Sequence, residues 1–544
     1  MNGSPDPAIV ALLADLSLTW GEPAADLASP YPRLHRLQTE LGDEGPLLTD
    51  HARLRTLLEL CAMVDPSLFF AMFLHHCMAI GAALDQGAAD EDVAALASGR
   101  CIGAALLAES GHGNSNSRTH TEAVYDPATR EFLLSTPGTA AKYPATVGAA
   151  GIARLVVVSA RLLVGGTDRG TALFLVALCD ENGPCPGVTI EPRPPTALLP
   201  MDYATVRFDR VRVPYRRWLA DGASIAEDGS CHDPLDGPDA RSRRSMSMGR
   251  FGWGAITAGL AAAARASVAL AMTRARHRRT LDRLAGERTA IDHLNQQRLL
   301  FSALAAALAA TVVARRDTGR CWHLGPSTSE HRELGLNKAT VSVLADTAVS
   351  RARSASGTAG FFSEHRLIGY QALAMAFQSA GGDNRLILLD AAWTMAAGQD
   401  YAPPADEPAP DDWIRIFRAR ERLLHAELTA GLRTDGAVPF ATWNDRTELA
   451  QRFAEARSAR VTAETLYDEW HAPVASRPLL ADLYELHCVE QAGAHAGWYL
   501  ANGLLTAEQV IGLPERTNEI CRQLVQHTDA LTQLLEIPDG LLAA

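Results

Sequence analysis

The sequence predicts a mainly α-helical protein built around one central β-domain. Three observations carry this expectation. Apolar residues recur at helical spacing before about residue 105 and again after about 225. Two long alanine-rich runs, 255–273 and 291–314, lie in the later region. Between 106 and 225, β-branched and apolar runs bounded by Gly and Asp take over. With 544 residues, 47% of them hydrophobic, the chain can bury a large core and divide into several domains. The expected divisions are 1–105 (helical), 106–225 (β), 226–405 (helical) and 406–544 (helical).

In the first segment Leu54, Leu57, Leu58, Leu60 and Cys61 share one helical face, and Val64-Asp-Pro-Ser-Leu68 reads as a break followed by a capped helix start. In the second, Leu155–Val158 and Thr171–Leu178 read as strands. Val206 and Phe208 alternate with Arg207 and Asp209, and Tyr125-Asp-Pro-Ala-Thr129 reads as a turn between strands. The Pro-rich stretch 401–412 is a linker by composition, followed by a helix with Leu479, Leu480, Leu483, Leu486 and Val489 in one stripe. Strands and helices do not alternate, which excludes a Rossmann chain.

A net charge of −13 and a pI near 5.7 argue against nucleic acid or an anionic membrane as main partner. The basic run Arg241-Ser-Arg-Arg244 is expected on a solvated loop. Nine scattered cysteines, none at zinc-type spacing, predict free thiols and no metal site, and His75-His76 reads as a packing or surface pair. The N-terminus lacks a signal-peptide pattern and Asp539-Gly-Leu-Leu-Ala-Ala544 is no peroxisomal tripeptide, so a cytoplasmic protein is expected. The apolar stretch Leu299–Ala314 falls short of the about 20 residues that span a bilayer and is expected as a buried helix.

Several segments carry a more specific signal. In order these are Met63-Val-Asp-Pro-Ser-Leu-Phe69 with His75-His76, Ala108-Glu-Ser-Gly-His-Gly-Asn-Ser-Asn116, and Met201-Asp-Tyr203 through Pro214. Next come Arg274 through Thr280, Asp292-His-Leu-Asn-Gln-Gln297, Gly357-Thr-Ala-Gly-Phe361 and Phe377-Gln-Ser-Ala-Gly-Gly-Asp-Asn384. The last are Asp482-Leu-Tyr-Glu-Leu486, Gly503-Leu-Leu-Thr-Ala-Glu-Gln509 and Ile537-Pro-Asp-Gly-Leu541. Their order and spacing resemble the acyl-CoA oxidases, a branch of the acyl-CoA dehydrogenase flavoproteins. The resemblance implies an N-terminal helical domain, a β-barrel domain, a helical flavin and dimer domain, and an oxidase-type C-terminal helical domain. It implies FAD held by Ala108, Glu109, Gly111 and Gly113 of the flavin loop, by Asp383 and Asn384, and by Arg278, Gly357 and Gly360 reaching a partner's FAD in a homodimer. Glycine lets a backbone approach a cofactor closely, and an arginine–phosphate contact is strong. Thr358 replaces the middle glycine of the family's Gly-Gly-His-Gly-Tyr loop.

Two departures fall inside the expected site. The family's Phe-Glu-Gly-Asp-Asn pattern supplies a glutamate that removes the substrate's α-proton, and Gly381 stands in its place. Gly381 keeps a backbone N–H for thioester polarisation but cannot accept a proton, and a positioned base is worth about 10²–10⁴-fold. The alternative glutamate position on an earlier helix is Gly249, and Asp383 is the one nearby carboxylate that could serve as a relocated base. Ala108 stands where a family threonine hydrogen-bonds the flavin, with Ser110 beside it. The resemblance therefore implies an FAD-dependent oxidase acting on a specialised acyl thioester, on CoA or a carrier protein, or on a related activated metabolite, with O2 as acceptor. A flavin monooxygenase fed by a partner reductase is the alternative, and a non-catalytic assembly protein a third class.

Overall fold

The computed structural model describes residues 7–17, 30–42, 45–114, 116–194, 198–284, 286–317, 319–325, 331–405, 408–432, 437–471 and 478–542. Two compact units emerge, Met1–Gly259 with Thr318–His331, and Leu260–Asp317 with Arg332–Ala544. The expected class holds: helices dominate and flank one strand-rich segment.

In the first unit the helix His51–Val64 buries Leu54, Leu57, Leu58, Leu60 and Cys61, the predicted face. It stops at Asp65, whose carboxylate accepts the Ser67 N–H at 2.8 Å and starts Pro66–Met72 with proline in the first turn. The chain then runs as a π-helix over Phe73–Ile80, which buries both His75 and His76. The His75 Nδ1 accepts the Gly103 N–H at 2.8 Å, and burial pushes the His76 imidazole down to about 4, so both rings sit neutral in the packing. Among the described residues no group of His, Cys, Asp and Glu is arranged to hold a metal.

The β-segment folds into a main sheet and a smaller one. Along the main sheet the order is Val211–Pro214, Glu131–Ser135, Glu122–Asp126, Arg154–Val164, Thr167–Asp180 and Trp218–Leu219. The turn predicted at 125–129 joins Glu122–Asp126 to Glu131–Ser135. The second sheet pairs Tyr203–Phe208 with Lys142–Thr146 on one side and Val188–Pro192 on the other. Alternation sends Val206 and Phe208 inward, and the core gathers on Phe132, whose ring meets Phe174 at 5.1 Å and Trp218 at 5.7 Å.

Two expectations are corrected. The basic run 241–244 lies on the helix Gly237–Met246, not on a solvated loop, and Arg241 and Arg244 are buried. Arg241 meets Asp233 at 2.6 Å, while Arg244 meets Asp85 at 2.5 Å and Asp221 at 2.8 Å. Asp85 also accepts from Arg250 at 2.9 Å and from the Gly325 N–H at 2.7 Å. These carboxylates are remote in sequence, so the run looks unpartnered until the fold gathers them. The other correction concerns length. The apolar stretch at 299–314 belongs to a 23-residue helix, Leu294–Arg316, because Asn295–Arg298 continue it toward its start. By length and composition it could cross a bilayer, as could Pro66–Asp85 and Gly237–His277, but 83%, 89% and 94% of the respective apolar windows are buried inside the protein.

Small residues in Gly249–His277 admit large neighbours. A Cβ at Gly254 would lie 2.7 Å from Cys321 and one at Gly259 2.3 Å from the Phe69 ring. In the second unit, Leu294–Arg316 packs beside Pro478–Ala494 and Ala507–Leu524. The predicted stripe lies on Pro478–Ala494, with Leu480, Leu483, Leu486 and Val489 buried. On the same helix Glu490 accepts from Ser302 and from Arg351. Asp412–Gly431 and Thr447–His471 are tied by Arg460, Glu421 and Glu464, with Glu421 wholly buried.

Candidate functional site

The residues singled out from sequence fall into three clusters, one in the first unit and two in the second. The first is the loop after the short strand Ala105–Leu106. The Ala108 carbonyl accepts the Tyr143 N–H at 3.0 Å, and the Ser110 N–H donates to the Ala141 carbonyl at 2.8 Å, fixing the loop's root against the neighbouring strand. Glu109 turns its carboxylate inward. It accepts from Lys142 Nζ at 3.0 Å, the Thr121 N–H at 2.8 Å, the Thr121 hydroxyl at 2.6 Å and the His120 N–H at 2.7 Å, and also from Thr119. Burial alone would raise this carboxyl, but the Lys142 ammonium and these donors hold it far below the ordinary range. Lys142 is itself fully buried, and loss of solvation pushes it down to about 8 against the pull of Glu109. Glu109 therefore commits its side chain to the loop's foundation, leaving only its backbone to face a ligand.

Beyond that root, residues 111–114 are exposed. Gly111 takes φ +78°, a left-handed conformation that favours glycine, and a Cβ at Gly111 or Gly113 would meet nothing within 4 Å. The open face suits close approach by a ligand. His112 stacks on His120 with ring centroids 4.0 Å apart.

The second cluster surrounds Gly357. It takes φ +63°, and a Cβ there would lie 2.8 Å from Arg278 Nη1. Buried guanidinium nitrogens without a protein partner occur at Nε of Arg274, Arg278 and Arg353 and at Nη1 of Arg366. Arg366 is itself buried and holds φ +65°, an uncommon conformation for a side-chain-bearing residue. An open cleft of about 510 Å³ is lined by Arg274, His277, Arg366 and Ala359, and also by Glu364 and Asp539. A guanidinium with an unpartnered Nε beside a bare glycine, as Arg278 is beside Gly357, suits a dinucleotide's pyrophosphate, so the residues present fit FAD. Gly360 has a different reason to be glycine: a Cβ would lie 2.2 Å from the Arg353 carbonyl oxygen, so it is required by backbone packing.

The third cluster is the turn joining Leu367–Ser379 to Asn384–Ala396. Gly381 and Gly382 take φ +66° and +91°. Asp383 is the N-cap of the second helix, its Oδ1 accepting the Arg385 N–H at 2.9 Å. The only carboxylate in the turn thus serves the helix end. Asn384 is buried and donates to the Ser342 hydroxyl at 2.9 Å, so it holds the turn.

Sequence reading missed the residue beneath this turn. Lys338, fully buried on His331–Ala355, donates to the Gly382 carbonyl at 2.6 Å and to Asn384 Oδ1 at 3.0 Å. Burial pushes its ammonium down to about 7, with Asp383 pulling the other way. The available signal was a lone lysine four residues before Ser342 on an otherwise apolar helix face. Lys142 was missed for the same reason: its partner lies 33 positions away.

Comparisons with known proteins agree on one family. A family model described as acyl-CoA oxidase matches residues 409–544. Acyl-coenzyme A oxidase 3, peroxisomal, of Arabidopsis thaliana is 24% identical across 93% of this chain and 80% of its own length. The fold is shared with acyl-CoA oxidase1 of Yarrowia lipolytica, with a TM-score of 0.81 at 19% identity, covering 99% of this chain and 85% of that one. It is also shared with acyl-CoA oxidase-2 of Caenorhabditis elegans, solved with FAD, ascaroside-CoA and ATP, with a TM-score of 0.76 at 19% identity over 100% and 92% of the two chains.

Proposed function

Because this chain belongs to the acyl-CoA oxidase family of FAD-dependent oxidoreductases, we propose that it oxidises a specialised acyl thioester, or a related activated metabolite, with O2 as acceptor. The observation that carries the specialised substrate is the Gly381–Gly382 turn, where the resemblance places a catalytic glutamate and this chain has no side chain. An ordinary fatty acyl-CoA needs a base there to give up its α-proton. A substrate with a more acidic hydrogen, or an amine- or hydrazine-like one, does not.

FAD, when bound, supplies the two-electron acceptor. Arg278 would reach the pyrophosphate of a partner's FAD, with Arg274 and Arg366 on a cleft of the same unit, and the glycines at 111 and 113 leave the flavin loop open to the chain's own FAD. The chain's own contribution is to bind the thioester, orient its reacting carbon over the 381–384 turn and exclude water.

A homodimer is part of the same reading. It is supported by exposed apolar side chains beside the candidate pyrophosphate residues: Leu281 at 86% and Leu284 at 97% follow Arg278, and Phe361 at 73% follows Gly360. Light scattering on the purified protein tests it. A reducing compartment, the cytoplasm, fits nine cysteines that form no disulfide; fractionation of the native cell tests that.

Anaerobic mixing of the yellow protein with a panel of acyl-CoAs and activated metabolites tests the chemistry. Bleaching of the flavin by one class, followed by peroxide release in air, is expected. Bleaching by dithionite but by no substrate class sinks the oxidase reading. Incorporation of labelled oxygen into a product points instead to the monooxygenase alternative.

A further inference from the structure

The buried Lys338 has no role in the family reading given above, yet its ammonium contacts the turn where chemistry is expected. Its ammonium spans two acceptors on opposite sides of Asp383: the Gly382 carbonyl at 2.6 Å and Asn384 Oδ1 at 3.0 Å. Asn384 is then fixed from its other end by the Ser342 hydroxyl at 2.9 Å, and Ser342 donates to the Lys338 carbonyl at 3.0 Å, closing a ring of contacts between two helices. The 381–382 backbone has left-handed φ at both residues and no side chains of its own to hold it. Two successive glycines are the most mobile backbone a turn can have. Lys338 adds a restraint on that geometry from outside the turn.

A buried lysine is costly, and here the cost is accepted with only a carbonyl, an amide oxygen and the nearby Asp383 in return. A purely structural link between these helices could be made by apolar packing, which is often as stable or more so. What a lysine adds is a fixed direction for one peptide group. We propose that Lys338 is a positioning residue for the reaction: through the Gly382 carbonyl it fixes the 381–383 backbone against which the substrate's reacting carbon is oriented. This inference rests on the oxidation chemistry proposed above.

The test uses full-length, flavin-loaded protein. Gly381→Glu supplies a base, so octanoyl-CoA can serve as the probe in anaerobic flavin reduction. Adding Lys338→Met should lower the limiting reduction rate by about 100-fold, the scale of an ångström-sized misplacement, while the octanoyl-CoA concentration giving half the limiting rate changes by less than about threefold. Lys338→Gln, which keeps one amide donor, should recover part of the rate. In the otherwise wild-type chain, Lys338→Met should speed hydrogen exchange about tenfold or more in the peptide covering 380–386 and leave other helices unchanged. If Gly381→Glu alone is reduced but the double variant matches it, the positioning role is wrong. If Lys338→Met leaves exchange at 380–386 unchanged, the clamp itself is refuted, whatever the enzyme's activity. If Gly381→Glu is not reduced at all, the placement of the missing base at residue 381 fails, and the exchange measurement still decides the clamp.

Discussion

Restoring a carboxylate at position 381 is the sharpest perturbation this structure offers. Gly381 sits at φ +66°, a region that costs a side-chain-bearing residue about 1–2 kcal/mol. The contacts of the turn would be retained, because Lys338, Asp383 and Asn384 act through the backbone and side chains of their own positions. Against that strain stands the gain from a positioned base, about 10²–10⁴-fold, equivalent to about 3–5 kcal/mol of barrier. Gly381→Glu should therefore fold with slightly reduced stability and gain about 10²-fold or more in the oxidation of ordinary straight-chain acyl-CoAs. Peroxide formation with butyryl-, octanoyl- and palmitoyl-CoA, beside thermal melts of both proteins, measures the two effects. Gly249→Glu is the control. Gly249 carries no left-handed strain and a Cβ there meets nothing within 4 Å, so it tests the alternative base position without a conformational penalty. A well-folded, flavin-loaded Gly381→Glu with no gain on any acyl-CoA would refute the placement of the missing base at residue 381.

Three further outcomes follow from the contacts. Arg278→Ala should weaken FAD retention by about tenfold or more, read by flavin loss on dilution, because it removes a guanidinium whose Nε has no protein partner. Glu109→Gln should cost about 3–5 kcal/mol in denaturant unfolding, since it strands the buried Lys142 ammonium. The folded Glu109 carboxyl lies far below its unfolded value, so its contribution is present above the unfolded pKa and lost as pH falls through the folded one; the gap between wild type and variant should persist down to at least pH 5. Lys338 gives the same direction of slope in a higher pH window. Its folded value, about 7, lies below the unfolded 10.5, so between those pH values the unfolded chain binds more protons and stability rises with pH. From pH 7.5 to 9.5, wild type should gain up to about 1.4 kcal/mol per pH unit relative to Lys338→Met, and a flat difference across that window refutes the buried, neutralising environment.

Much of the fold was legible because its signals are local. The stop at Asp65 followed by Pro66, the turn at 125–129 and the stripe from Leu480 to Val489 each depend on residues within one or two turns of one another. The clearest misreading is of a non-local feature. The basic run at 241–244 reads as solvated because Asp85, Asp221 and Asp233, its partners, lie 8 to 159 positions away. The helix expected over 291–314 forms as Leu294–Arg316; only the apolar stretch 299–314, taken by itself, falls short of a bilayer span.

The site was legible in its glycines and illegible in its cations. Gly111 and Gly357 stand out through the resemblance to the family's glycine loops, and Gly381 through the glutamate it replaces; all three have positive φ. Gly360 shows the limit of that reasoning: it was assigned to a cofactor, yet the Arg353 carbonyl alone explains it. Lys142 and Lys338 left no comparable trace, since a lysine in sequence looks the same whether it reaches water or a buried acceptor. Both turn out to support the backbone of segments expected to face the flavin or substrate, one through Glu109 and the other through Gly382. Both segments thus owe their main-chain geometry to buried ammonium groups behind them, and the 381–384 turn keeps that support without a side chain at residue 381.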